Sequence, residues 1–282
     1  MIKVNIQKKF SSRDQKTIEL KFECEIPLHQ SNSLFGPSGA GKTTFLKMLT
    51  GLVKPDLGSI VADGQVWFDS EKNINLPIVS RSIGYLFQES SLFPNMNVRE
   101  NLEFAFQKGK EDKNFLQRLM TTAEIDNLLN HKVEGLSGGQ KQRVALVRSL
   151  IQKPKFLFLD EPFSSLDQRI RSQLVSLVES LQKQYQMTAI LISHEIPEVI
   201  KLTKKVYMIS NGEIVSSGDP IDCFRQKHHD LLEGEVIGRT SKDEVAIWYP
   251  NPFVVLKRNE KDPILKINEF CLTQIKIKNK GD

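Results

Sequence analysis

The sequence predicts an α/β protein built on a mixed sheet. Two continuous apolar segments, residues 156–159 and 189–192, are typical of strands that are buried on both faces. A segment with helical spacing of apolar residues, from Leu166 to Leu181, separates them, and the order strand, helix, strand favours parallel pairing. The first 35 residues alternate apolar and polar side chains instead, which predicts antiparallel strands with one buried face.

Composition places the chain among ordinary globular proteins. It has 282 residues, of which 39% are hydrophobic and 26% are charged, enough for one large domain or two modest ones. The net charge of +5 suits ATP, an anionic membrane face or nucleic acid. Because no run of Lys and Arg is long enough to favour nucleic acid, we expect no nucleic-acid partner.

The cysteines and the apolar runs bear on the cellular compartment. Cys24, Cys223 and Cys271 are widely separated and lack metal-ligand spacing, which is typical of reduced thiols in a cytosolic protein. The N-terminus has no signal-peptide pattern, and no apolar run approaches the roughly 18 to 20 residues that cross a bilayer. We therefore expect a soluble protein whose contact with a membrane comes through a partner.

The chain divides into three regions by pattern. Residues from about 98 to 151 lack strand signals and have helical spacing, which predicts a helical subdomain at about 89–153 within a domain 1–230. Near Asp219 the pattern changes to short alternating runs that Gly and Pro interrupt. These runs predict a small β appendage at 231–282, and their apolar residues are Val236, Val245, Ile247, Val254, Leu256, Ile264 and Ile267.

A glycine-rich segment between a predicted strand and a predicted helix matches the phosphate-binding loop pattern. Its glycines let backbone N–H groups turn towards phosphate oxygens at a helix N-terminus. We expect Lys42 to reach the β- and γ-phosphates of ATP and the Thr43 hydroxyl to bind Mg²⁺. The predicted nucleotide-binding residues of this loop are Gly36, Pro37, Ser38, Gly39, Ala40, Gly41, Lys42, Thr43 and Thr44.

An acidic pair, Asp160-Glu161, follows the buried strand at 156–159. The carboxyl end of such a strand faces the same crevice as the phosphate loop. We expect Asp160 to bind Mg²⁺ together with Thr43, and Glu161 to act as the general base that activates water.

A second glycine-rich segment, Leu136-Ser137-Gly138-Gly139-Gln140, opens another predicted helix. Ser137 is a good N-cap, and on that ground alone the segment could be only a helix start. It could also be a second phosphate site without its own lysine, which completes ATP binding on a neighbouring subunit. That alternative predicts a head-to-tail homodimer that encloses two ATP molecules.

With these motifs in this order, residues 1 to about 230 resemble the ATP-binding cassette (ABC) family. The resemblance implies that Gln88 contacts Mg²⁺ and the attacking water, and that His194 contacts the γ-phosphate. It also implies that Asp167, in Ser164-Ser165-Leu166-Asp167, bridges the dimer. Phe10 is the candidate by position for stacking on adenine, although it could equally be a core residue.

Within the family, the chain is similar to the ATPase subunits of molybdate importers, in residues 33–35, 66–72, 81–89 and 92–94. Importers of sulfate, iron and polyamines share much of this pattern, so the solute stays open between them. The resemblance implies a peripheral protein on the cytoplasmic side of the membrane. Its expected partners are permease subunits and, indirectly, an extracytoplasmic solute-binding protein.

Two other kinds of ABC protein are alternatives. Relatives that act in DNA repair or on the ribosome usually carry a coiled-coil insertion or two cassettes, whereas each loop occurs once here. Exporter motors are a further alternative, and the separate cassette with an appendage favours import. The appendage resembles the start of a regulatory, TOBE-like β-domain but is too short for a complete one, which puts an oxyanion-binding role in doubt.

Overall fold

The computed structural model describes residues 1–11, 17–106, 112–225, 233–239, 245–248 and 276–277. The chain separates into two compact units, Met1–Pro220 and Ile221–Asp282. The predicted boundary at residue 230 lies outside the described residues. So do Val254, Leu256, Ile264 and Ile267, four of the seven apolar residues on which the prediction of the appendage depended. The other three, Val236, Val245 and Ile247, lie in described strands.

In the described part of the larger unit, one eleven-stranded sheet runs in the order β6-β5-β4-β1-β2-β11-β10-β3-β9-β8-β7. Its strands are β1 (Ile2–Ser11), β2 (Thr17–Ile26), β3 (Ser31–Phe35), β4 (Leu57–Ala62), β5 (Gln65–Asp69), β6 (Ile74–Asn75), β7 (Ile83–Leu86), β8 (Phe156–Asp160), β9 (Thr188–Ile192), β10 (Lys205–Ser210) and β11 (Glu213–Gly218).

The sheet has a parallel and an antiparallel part, as predicted. Strands β10, β3, β9, β8 and β7 pair in parallel. Strand β1 pairs antiparallel with β2 and with β4. Because β3, β7, β8 and β9 are parallel, their carboxyl ends lie at one edge of the sheet, and the loops that follow them share that edge.

Seven helices occur in the ranges that the structure describes, with short 3₁₀ turns at Ile78–Ser80, Asp126–Leu128 and Val133–Gly135. The first helix ends at Gly51, whose φ of 86° is the left-handed geometry that glycine adopts readily. The helices are α1 (Lys42–Thr50), α2 (Val98–Glu103), α3 (Lys113–Thr122), α4 (Gly138–Leu150), α5 (Gln168–Tyr185), α6 (Ile196–Leu202) and α7 (Pro220–Arg225). The separate subdomain at 89–153 stays a prediction.

Two apolar clusters cover the two faces of the parallel strands. Alternate residues of β8 enter different clusters: Leu157 and Leu159 pack with α4 and α5, whereas Phe156 and Phe158 pack with α1 and the antiparallel strands. This alternation follows from the two-residue period of a strand. Burial of each such side chain stabilises the fold by about 1.5–3 kcal/mol. A strand without polar alternation is therefore buried on both faces, as the sequence predicted.

The described strands of the smaller unit are β12 (Glu233–Arg239), β13 (Val245–Trp248) and β14 (Lys276–Ile277). They form a small sheet in the order β13-β12-β14, in which β12 pairs antiparallel with β13 and parallel with β14. Within the described ranges of the whole chain, no helix has both the length and the apolar character that crossing a bilayer requires.

Candidate functional site

The phosphate loop connects the buried strand β3 to α1. Gly39 and Gly41 have φ angles of 77° and 97°, in the left-handed region where glycine carries no steric penalty. Gly41 is the N-cap of α1, and no side chain caps this helix end. The first-turn N–H groups and the positive end of the helix dipole therefore remain available to an anion.

Lys42 is folded back over the loop that precedes it. Its Nζ donates hydrogen bonds to the carbonyl oxygens of Gly36 at 2.8 Å and Pro37 at 2.9 Å. The side chain is buried, which lowers the pKa of Lys42, while the carboxylates of Glu161 and Asp160 oppose that shift. The loop thus holds a cation directly beside the place where its glycines present N–H groups.

Two oxygen ligands meet where α1 begins and β8 ends. The Thr43 hydroxyl Oγ1 donates to Asp160 Oδ1 at 3.2 Å. Asp160 is 2% exposed, and this burial raises the pKa of its carboxyl against the opposing effect of the Thr43 hydrogen bond. Among the described residues, no group of three or more His, Cys, Asp or Glu side chains could hold a metal. Mg²⁺ usually takes one or two carboxylates and completes its shell with phosphates and water, so this pair fits it.

Glu161 carries its carboxylate towards two further predicted residues. His194 Nε2 lies 2.7 Å from Glu161 Oε1, and Gln88 Nε2 donates to Glu161 Oε2 at 3.5 Å. His194 follows β9 and Gln88 follows β7, so both come from the same edge of the sheet as Glu161. The φ of Glu161 is 51°, a left-handed conformation that costs a non-glycine residue about 1–2 kcal/mol.

The segment Leu136 to Gln140, which we call the signature loop, forms the start of α4. Ser137 is the N-cap: its Oγ accepts from the Gln140 N–H at 3.3 Å, and Gln140 Oε1 accepts from the Ser137 N–H at 2.8 Å. Ser137 and Gly138 are exposed. The capping box therefore presents the N-terminal end of a 13-residue helix to solvent.

Three predicted residues remain to be placed. Asp167 is the N-cap of α5, where its Oδ1 accepts from the Ile170 N–H at 3.0 Å, and this bond lowers the pKa of Asp167. Thr44 lies in the first turn of α1. Phe10 lies near the end of β1 with 38% of its surface exposed, so it is not a core residue. Its stacking on adenine stays a prediction.

The structure brings six of the predicted residues together at one edge of the sheet. They are Lys42, Thr43, Gln88, Asp160, Glu161 and His194. The other predicted groups, the signature loop and Asp167, lie at the N-termini of α4 and α5.

One polar residue between these two sets was not identified from the sequence. Gln142, two positions after Gln140, is buried and bonds the main chain of Glu161 and Ser165. Nothing in a single sequence distinguishes such a glutamine from one on a solvated helix face.

Curated relatives of this chain are named as import ATP-binding proteins. The molybdenum import ATP-binding protein ModC of Brucella suis is 40% identical over 193 residues, which cover 68% of this chain and 54% of the relative. The protein of the same name from Albidiferax ferrireducens is 33% identical over 226 residues, covering 79% and 61%. The one from Mesorhizobium japonicum is 37% identical over 223 residues, covering 78% and 59%. The matched part of this chain thus spans little more than half of these relatives.

Solved structures of an ATP-binding cassette and of a part of an ABC transporter complex share the fold. A dimeric ATP-binding cassette in a post-hydrolysis state, bound to ADP and Pi, has a TM-score of 0.69 and 26% identity, over 78% of this chain and 99% of that one. The protein cbiO1 of Clostridium perfringens, part of an ABC transporter complex, has a TM-score of 0.64 and 28% identity, over 80% and 91%. These similarities agree with the predicted fold class.

The family model described as ABC transporter matches residues 21–164, more than half of the 282 residues. This range begins in β2 and includes the phosphate loop, the signature loop and the acidic pair. The chain therefore belongs to the ABC transporter family.

Proposed function

We propose that this chain is the ATP-hydrolysing subunit of an ABC importer, which works as a dimer and drives solute uptake through a membrane permease. The observation that carries the proposal is the meeting of a phosphate-loop lysine, two oxygen ligands and a His–Glu pair at one edge of the sheet. Binding a nucleotide phosphate and activating water both require groups of these kinds.

ATP binding is assigned to the phosphate loop and α1. The uncapped helix end and the loop glycines offer N–H groups to the phosphates, and Lys42 moves from the carbonyls of Gly36 and Pro37 to phosphate oxygens. Thr43 and Asp160 would hold Mg²⁺, which supplies positive charge against the triphosphate. Because Lys42 already lies within the loop, little rearrangement is needed when the nucleotide binds.

Hydrolysis is assigned to Glu161. Its carboxylate takes a proton from water while the water oxygen bonds to the γ-phosphorus, and the bond from that phosphorus to the β,γ-bridging oxygen breaks. Inorganic phosphate and ADP are the products. His194 and Gln88 hold the two carboxylate oxygens from either side, so they orient Glu161 towards the site of attack.

The signature loop is assigned to the ATP site of a second copy. Its exposed helix end shares with α1 the positive end of a helix dipole, and the loop itself, Leu136 to Gln140, contains no lysine. A head-to-tail pair places each loop over the γ-phosphate bound to the other copy. Closure of the dimer then depends on ATP, because ATP contacts both copies.

The transported solute is proposed from the relatives, which are named as molybdenum import proteins. We assign molybdate or tungstate uptake, with the chain peripheral on the cytoplasmic side of the membrane. Permease subunits are its direct partners, and an extracytoplasmic solute-binding protein acts through them. Importers of sulfate, iron or polyamines are the alternatives that the test separates.

The test is purification of the tagged full-length chain from its native membrane, followed by reconstitution in liposomes. We expect a multi-span permease to co-purify without nucleic acid, and molybdate with its binding protein to stimulate ATP hydrolysis. Sulfate, ferric iron and a polyamine, each with its own binding protein, are the matched solutes. Stimulation by one of these alone would replace the solute assignment. Co-purification of nucleic acid without a permease would refute the importer.

A further inference from the structure

We propose that Gln142 is a positioning residue that ties the signature helix α4 to Glu161 and so links the two ATP sites of the dimer. The inference rests on the proposed function, because it assigns a role to a residue beside the hydrolytic site. Among the described residues, the Gln142 side chain forms hydrogen bonds with neither the phosphate loop nor the carboxylate of Glu161.

Both ends of the Gln142 amide are bonded to the loop that follows β8. Its Nε2 donates to the backbone carbonyl oxygen of Glu161 at 2.8 Å, and its Oε1 accepts from the Ser165 N–H at 3.0 Å. The side chain is 6% exposed. A buried amide with both a donor and an acceptor satisfied fixes its partners in one geometry, because an unpaired polar group in that place would be costly.

Glu161 is a residue whose backbone needs such support. Its left-handed φ of 51° is unfavourable for a glutamate and persists only where the surroundings determine it. The Glu161 N–H donates to the Ile192 carbonyl at 2.9 Å, which holds one side of the residue against β9. On the other side, two side chains donate hydrogen bonds to the Glu161 carbonyl oxygen. The bond from Gln142 Nε2, at 2.8 Å, is shorter than the bond from the Ser164 hydroxyl, at 3.2 Å.

A second contact joins α4 to the same loop. A Cβ atom placed on Gly139 would lie 2.9 Å from the backbone oxygen of Ser165, so the helix start approaches this loop more closely than a side chain allows. Gly139 and Gln142 are separated by one helical turn and contact Ser165 from the same face of α4. The loop continues from Ser165 to Asp167, which is the N-cap of α5.

Through these contacts, the signature loop and Glu161 of one protomer are joined rigidly to each other. Its signature loop serves the ATP of the other protomer, whereas its Glu161 serves its own ATP. When ATP in one site draws α4 inward, the Gln142 amide carries that displacement to the carbonyl of Glu161 in the other site. Gln142 therefore acts on hydrolysis through Glu161, not through the nucleotide.

The test compares two substitutions that remove different hydrogen-bonding groups of the Gln142 amide. Gln142→Met keeps the length of the side chain and removes the donor and the oxygen acceptor, whereas Gln142→Glu keeps the acceptor for Ser165 and removes the donor to Glu161. We expect kcat to fall about 10- to 100-fold in both, since a small misplacement of a catalytic group costs up to about 10²-fold. The KM for ATP should stay within about twofold. Gln65→Met, at an exposed position at the start of β5, is the matched control.

A double substitution separates positioning from a structural role. In the Glu161→Gln background, measured as single-turnover hydrolysis, Gln142→Met should lower the remaining rate less than twofold, because its effect passes through Glu161. The inference is overturned if Gln142→Met lowers the hydrolysis rate in that background by the same factor as in the chain with Glu161. It is also overturned if kcat is unchanged in both single variants. If Gln142→Met does not fold, Gln142→Glu carries the same comparison. Absence of ATP hydrolysis in the unsubstituted chain would instead refute the proposed function.

Discussion

Replacing Glu161 by glutamine tests the assignment of the general base. The substitution keeps the shape of the side chain and removes the charge that takes a proton from water. The Glu161 carboxylate now lies 2.7 Å from His194 Nε2 and 3.5 Å from Gln88 Nε2. A glutamine amide reproduces the size of these contacts but not the basicity of Oε1.

The expected loss of turnover follows from the contribution of a general base to the rate, which is about 10²- to 10⁴-fold. At 1.36 kcal/mol for each factor of ten, the activation barrier rises by about 2.7–5.5 kcal/mol. ATP affinity should be unchanged, because Lys42, Thr43 and Asp160 remain in place.

The assay is phosphate release at saturating ATP and Mg²⁺, with ATP affinity measured by calorimetry. Glu71→Gln, which removes an exposed carboxylate outside the site, is the control and should turn over as the unsubstituted chain does. Turnover of Glu161→Gln within twofold of that rate would refute the assignment of the base. A parallel loss of ATP affinity would point to nucleotide binding instead.

Three further substitutions test the nucleotide site and the packing of the fold. Lys42→Ala should weaken ATP binding at least tenfold, since it removes the cation of the phosphate loop; unchanged affinity by calorimetry would count against it. Asp160→Asn should raise the Tm of the nucleotide-free chain at pH 7. Burial raises the pKa of Asp160 in the folded chain, so its ionisation destabilises the fold as pH rises through that pKa, and asparagine does not ionise. The gain should shrink towards pH 4, and a gain that is constant with pH would contradict this reasoning. Arg81→Met should lower the free energy of unfolding in urea by about 3 kcal/mol or more, and a loss below about 1 kcal/mol would mean that water replaces its hydrogen bonds. That side chain is 2% exposed and donates to three carbonyls, those of Leu49, Trp67 and Leu76.

The parts of the fold that local sequence determines were predictable. Strands β8 and β9 have no polar alternation, so their burial on both faces and parallel pairing could be inferred. The phosphate loop needs glycine for its backbone geometry, and Gly39 and Gly41 do adopt left-handed φ angles. Parallel strands then bring the residues after them to one edge, which is why Asp160 could be assigned to the site of the phosphate loop. His194 was assigned to that site by the resemblance to the ABC family.

Other strands could not be predicted, either because their patterns are weak or because their pairing is long-range. Strand β11 is exposed along most of its length, with Val215 61% exposed, so little apolar alternation marks it. Strand β6 has only two residues and both are exposed. Strand β10 is apolar and buried, but its place beside β3 depends on long-range pairing that no local window contains.

The site also has features that only coordinates reveal. Glu161 has a left-handed backbone conformation that glutamate does not favour, so the sequence gives no indication of this conformation. The burial of Gln142 depends on the loop from Glu161 to Ser165, which is distant in sequence. Tertiary contacts, not helix propensity, give these two residues their positions.

The central claim is that each ATP is held between two copies of the chain, and sedimentation of the Glu161→Gln variant with ATP and Mg²⁺ tests it most directly. We expect a dimer that retains two ATP molecules, and a chain that also carries Ser137→Arg should stay monomeric while it binds one ATP. A Glu161→Gln chain that stays monomeric with ATP and Mg²⁺ bound would contradict the shared site. So would undiminished turnover in a chain that carries Ser137→Arg and keeps Glu161.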